Sequence, residues 1–158
     1  MRRKKVDSHE AFEIWALLHQ CRDTIARARE RELREIGVSM VQAGLLFVVN
    51  EIDGPATPAE ISRRLLREPH TVNVLLKQME RKGLVNRTKD LERKNWVRVE
   101  LTEKGKETYD KARDKKEAIC EVMACLSDEE RSCLREFLHR LRGEGLKILG
   151  VKHEFLFP

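Results

Sequence analysis

The sequence has no run of 18 apolar residues, so no segment is long enough for a transmembrane helix. It has four cysteines, Cys21, Cys120, Cys125 and Cys133, and no two of them form a CxxC pair. That excludes a disulfide frame and points to reduced thiols carried on helices. With His139 and His153 they fit no standard zinc spacing. A Gly-rich phosphate loop, an HExxH string and a nucleophile with a base beside it are all missing. These absences argue against an enzyme and against a metal or cofactor. Internal repeats and low-complexity segments are absent too. The basic start Met1-Arg2-Arg3-Lys4-Lys5 is not followed by an apolar signal-peptide core, so the expected location is the cytoplasm.

What is present is charge. Charged residues make up 37% of the chain, which suits long exposed helices better than a compact monomer. Hydrophobic residues make up 41% of the 158, enough for one domain or for a small domain with helical arms. The positive excess is local. From Thr57 to Arg98 the basic residues are Arg63, Arg64, Arg67, Lys77, Arg81, Lys82, Arg87, Lys89, Arg93, Lys94 and Arg98. Against five acids they give this stretch a net +6, while the whole chain carries +5. A cationic patch of this kind suits a phosphate backbone.

The same stretch has a definite order of elements. Thr57-Pro58-Ala59-Glu60 is a helix start, with a capping threonine and proline at the first helical position. Ile61, Leu65 and Leu66 form the apolar face of a short helix. Pro69 closes that helix and opens another, from about Pro69 to Lys82. Val72, Leu75, Leu76 and Met79 are its inner face, and Gly83 its C-terminal cap. The period then changes from helical to two. Leu84–Lys89 and Trp96–Leu101 read as strands joined by a polar loop with Arg93, Lys94 and Asn95 near its tip. Trp96 is expected to pack beneath that loop. Helix, tight turn, helix and hairpin is the order of a winged helix-turn-helix.

On either side lie helices. A long first helix, about His9 to Ile36, has Ser8 as its cap and a stripe of Ile14, Leu18, Cys21, Ile25 and Ala28, widened by Phe12, Trp15 and Leu17. Its charged second half, Arg27 to Glu35, reads as a solvated face. Ser39-Met40-Val41-Gln42 is a capping box that opens a helix apolar nearly all round, to about Asp53. After Thr102, one long helix is expected to reach about Cys125. A third capping box, Ser127 to Glu130, opens a last helix with Leu134, Phe137, Leu138 and Leu141 on one face. The end, Phe155-Leu156-Phe157-Pro158, is apolar and is expected to pack in a dimer. The expected division is 1–36 and 103–158 as dimerisation helices around a DNA-binding domain at 37–102. The terminal stripes exceed what the central module can cover, and a second copy is the economical partner. The fold class expected is mainly α, with a small β component.

Several strings resemble the MarR family of transcriptional regulators. They are Ala59-Glu60-Ile61-Ser62, Thr71-Val72-Asn73, Met79-Glu80-Arg81-Lys82-Gly83-Leu84-Val85, Arg87, and Val99-Glu100-Leu101-Thr102-Glu103-Lys104-Gly105. The resemblance covers nearly the whole chain. It implies a homodimer, usually a repressor, on a palindromic operator, with the wing reaching a minor groove. Pro69 to Lys77 would then face bases and phosphates, and Arg93 to Asn95 would form the wing tip. The family's minor-groove arginine falls at Asn95, so Arg93 or Lys94 would take over that contact. Many members bind a small aromatic acid between the dimer helices and the DNA module and release DNA. Others sense oxidants through a cysteine in the first helix. That position falls near Trp15, not Cys21, and the only tyrosine is Tyr109.

Residue chemistry sorts the expected contacts. His70, Thr71, Asn73 and Lys77 are base-reading candidates, because asparagine pairs with adenine and lysine donates to guanine. Pro69 and Val74 share their helix. Ser62, Arg63, Arg64, Arg87 and Lys89 are expected phosphate clamps. The alternatives are a protein-interaction module on the same frame and a thiol-based redox sensor.

Overall fold

The computed structural model describes residues 6–54, 56–89 and 97–151. The expected wing tip (Arg93, Lys94, Asn95), Trp96, the basic start and the apolar tail lie outside these residues. The chain runs α1 (Ser8–Glu35), α2 (Met40–Glu51), α3 (Pro58–Leu65), α4 (Pro69–Arg81), β1 (Val85–Lys89) and β2 (Val97–Leu101). It continues through α5 (Glu103–Asp114), α6 (Glu117–Met123) and α7 (Asp128–Ile148). This is the mainly helical winged helix-turn-helix that the sequence pattern predicts.

Most helix starts follow the local chemistry. Ser39 and Ser127 sit in reciprocal capping boxes with Gln42 and Glu130. Thr57 accepts from the Glu60 amide, and Pro58 occupies the first turn. The first helix differs by one residue: Asp7 caps it, accepting from the His9 amide, and Ser8 is already helical. A carboxylate here also complements the positive end of the helix dipole.

The core forms around α2. Leu45 and Leu46 are fully buried, as are Ile61 of α3, Val72, Leu76 and Met79 of α4, and Val85 and Val99 of the hairpin. The strands pair antiparallel, with Val85 opposite Leu101 and Arg87 opposite Val99. A single bridge joins Ala56 to Val99, whose amide donates to the Ala56 carbonyl at 2.8 Å. The hairpin is therefore fastened to the start of the helix-turn-helix as well as to its end.

Gly83 leaves α4 at φ 69°, and the Leu84 amide reaches back to the Met79 carbonyl. Thr102 joins this corner to α5. Its hydroxyl donates to the Gly83 carbonyl at 2.6 Å and accepts from the Gly105 amide at 2.9 Å. Gly105 lies so close to the Leu84 carbonyl that a Cβ there would meet the oxygen at 2.0 Å. A glycine is thus required by contact, although its own φ is ordinary.

Two sequence expectations are corrected. Leu66 is not on the apolar face of α3. It is the left-handed C-cap, at φ 49°, and half-exposed. The turn into Pro69 must reverse within three residues, and a left-handed residue is the shortest way to do it. The helix expected from Thr102 to Cys125 is in fact two, broken at Lys115–Lys116. The cause is α1. Arg29 donates to the carbonyls of Ala112 and Lys115, closing α5. Glu32 accepts from the Ala118 amide at 2.6 Å, opening α6, and Lys115 pairs with Glu35. One face of α1 therefore supplies both caps of the break, where Lys-Lys carries no local stop signal. Cys125 consequently lies in the turn before α7, and all four cysteines are free and exposed.

Candidate nucleic-acid interface

Helix α4 buries Val72, Leu76 and Met79 and half-buries Leu75. Helical geometry then turns Pro69, His70, Thr71, Val74, Lys77, Gln78 and Arg81 outward, and all of these are exposed. Glu80, three residues after Lys77, is the exposed acid at the edge of this ridge. Gln78 is a residue the sequence reading passed over. Its spacing from Thr71 and Val74 could have shown it, because i, i+3 and i+7 share a face.

The other expected contacts divide by what holds them. Arg63 is exposed and pairs with Glu60. Arg64 places its Nε 2.8 Å from the same carboxylate and is largely covered. Ser62 is buried, and its hydroxyl donates to the Arg67 carbonyl to lock the turn. Lys89 is exposed on β1. Arg87 faces inward on that strand, with its side chain only 16% exposed. Its guanidinium lies 3.4 Å from Asn73 Oδ1 and 4.0 Å from Glu80 Oε2. Asn73 in turn donates from Nδ2 to the Pro69 carbonyl at 3.0 Å. The exposed ridge and Lys89 thus form one surface, while Ser62, Arg64 and Arg87 brace it from within.

A second feature lies behind the helix-turn-helix. Helices α1, α2, α5 and α6 line an open pocket of about 430 Å³. Its walls include Ile25, Leu33, Met40, Phe47, Tyr109 and Ile119, and its rim carries Arg29, Arg113 and Lys116. The Phe47 and Tyr109 rings stand 6.4 Å apart, and the Arg113 guanidinium lies over Tyr109 at 5.6 Å. The backbone amide of Ala118, together with Arg29, holds the Glu32 carboxyl below its usual 4.5.

The third feature is uncovered apolar surface. Phe12, Trp15 and Leu17 of α1 and Phe137 and Leu141 of α7 are each more than half exposed. Two such stripes on the first and last helices are faces suited to a partner.

These elements define a class: a winged helix-turn-helix carried between long helical arms. Residues 36–94 match the MarR family profile. A curated relative, the helix-turn-helix-type transcriptional regulator YdgJ of Bacillus subtilis (strain 168), is 30% identical over 107 residues. That match spans 67% of this chain and 65% of the relative. The structure of the organohalide-sensing regulator RdhR-CbdbA1625, in its 2,4-dichlorophenol-bound form, superposes with a TM-score of 0.85 at 29% identity. It covers 100% of this chain, which in turn spans 96% of that one. MarR from E. coli, complexed with operator DNA, shares the fold at a TM-score of 0.77 and 20% identity, over 86% of this chain and 99% of that one. The chain belongs to the MarR family.

Proposed function

We propose that this chain is a dimeric, sequence-specific DNA-binding transcriptional regulator, a repressor acting on a palindromic operator. The observation that carries the reading is the exposed outer ridge of α4, from Pro69 to Arg81, beside a hairpin in the most basic stretch of the chain. A helix presenting this ridge fits a major groove, and the wing reaches the neighbouring minor groove. His70, Thr71, Asn73, Val74, Lys77 and Gln78 meet base edges. Arg63, Lys89 and the wing residues Arg93, Lys94 and Asn95 meet phosphate and minor groove. The exposed stripes of α1 and α7 close on a second copy. That pairing sets two α4 helices about 10 base pairs apart, one turn of duplex. The cavity behind the head takes a small aromatic ligand, which releases DNA. Its volume and mostly apolar walls suit one ring, and the rim cations suit an acid or phenolate.

Fluorescence anisotropy with the chain's own promoter DNA, across a salt series, tests this. The expected result is nanomolar-range binding to one sequence that weakens steeply with salt. Binding indifferent to both sequence and salt would remove the reading and leave the protein-interaction alternative.

A further inference from the structure

The inward turn of Arg87 needs an explanation. In the ladder it faces Val99, which is fully buried, so both side chains share the core face of the hairpin. The neighbouring inward position on β1 is Val85, also buried. An arginine has therefore been placed where the strand pattern calls for an apolar side chain. Its Nε is buried without a partner among the described residues. A buried donor left unpaired is costly, so what the rest of the guanidinium does is significant.

It grips α4 at two points. Asn73 and Glu80 lie seven residues apart, two turns along one flank of the helix, and Arg87 reaches toward both. The contact to Asn73 has a further consequence. A carboxamide has two possible flips that differ by exchanging its oxygen and nitrogen. Only the oxygen can face a guanidinium and only the amide nitrogen can face the Pro69 carbonyl, so Arg87 and Pro69 together select one flip. In that flip Nδ2 donates one hydrogen to the Pro69 carbonyl. The side chain keeps one N–H and one oxygen lone pair unspent. One donor beside one acceptor is the complement of the adenine major-groove edge, which offers N7 and the N6 amino group.

We propose that Arg87 is a positioning residue for base reading: it holds the Asn73 carboxamide in the single flip that can pair with adenine. It is not a phosphate clamp. The proposal rests on the DNA-binding reading above and adds to it which residue orients the reader.

The test uses the full chain and a duplex selected by it from a randomised pool, beside a scrambled duplex of the same length. Arg87→Lys keeps the charge but loses the planar fork. It should cost roughly tenfold in preference at the same A·T pair that Asn73→Ala affects, the scale of one lost base contact. The double variant should be no worse than Asn73→Ala alone, because the two residues act as one unit. In Arg87→Gln, which removes the charge, the slope of log affinity against log salt should stay at the wild-type value. Circular dichroism melts report whether each variant folds. If Arg87→Gln weakens selected and scrambled duplex alike and flattens the salt slope by about one, Arg87 is a phosphate clamp and the proposal is overturned. Additive losses at different base pairs overturn it equally. A wild-type chain that selects no sequence at all removes the DNA-binding reading itself, and this proposal with it.

Discussion

Lys77 and Glu32 show two uses of single charges in this chain. Lys77 stands exposed on the outer ridge of α4. Lys77→Ala is expected to relax discrimination at one base pair by about 1–3 kcal/mol, read from binding to a set of singly substituted duplexes. Glu32 acts inside the protein. Its carboxyl is held low by the Ala118 amide and Arg29, so its stabilising contribution exists above the unfolded pKa. That contribution is lost as pH falls through the folded value. Glu32→Gln should therefore lower Tm near pH 7. The gap between the two chains should narrow as melts are repeated at falling pH, as the Glu32 carboxyl takes up its proton. A gap independent of pH would mean that packing, and not the charge, holds the α5–α6 break. The outer ridge of α4 was legible from spacing alone. The inward residues were not, because Ser62, Arg64 and Arg87 read as ordinary surface polar residues until their partners are seen.

At the scale of elements, the corner made by α4, the hairpin and α5 sets where the head points. Thr102, Gly83 and Gly105 meet there within hydrogen-bond and contact distance. Gly105→Ala should force α5 away from Leu84 and cost about 1–3 kcal/mol, visible as a lower Tm and urea midpoint. Unchanged stability would show that α5 shifts without penalty. The string around Gly105 was recognisable in the sequence, but the reason for its glycine was not. An ordinary φ gives no sign of a carbonyl at the Cβ position. The same applies to the break between α5 and α6, whose caps come from a helix some eighty residues earlier in the chain.

For the whole molecule, the central prediction is pairing. Among the described residues, nothing in one chain covers the α1 and α7 stripes. Leu141→Glu puts a charge into that stripe, where burial would be costly. Sedimentation should show a dimer for the wild type and a monomer for the variant, with the variant's circular dichroism unchanged. Affinity for a palindromic duplex should fall steeply, because the two heads no longer bind as one unit. A variant that remains dimeric would move the interface elsewhere. An added small phenol should raise the wild-type Tm in a concentration-dependent way if the cavity binds it, through linkage of ligand to the folded state.

Local chemistry along the chain was enough to specify most of the architecture. Capping boxes, prolines at helix starts, Gly83 and the change of hydrophobic period act over a few residues, so they appear in the sequence as they act in space. They located the helix-turn-helix, the hairpin and the unpaired stripes. Only the tertiary structure decided which way Arg87 faces, why α5 ends at Asp114, and that a cavity exists between the arms and the head. Each of these depends on groups far apart in sequence meeting at a few ångströms. Hydrogen bonding and close packing act over that distance in space, which periodicity and spacing along the chain do not encode.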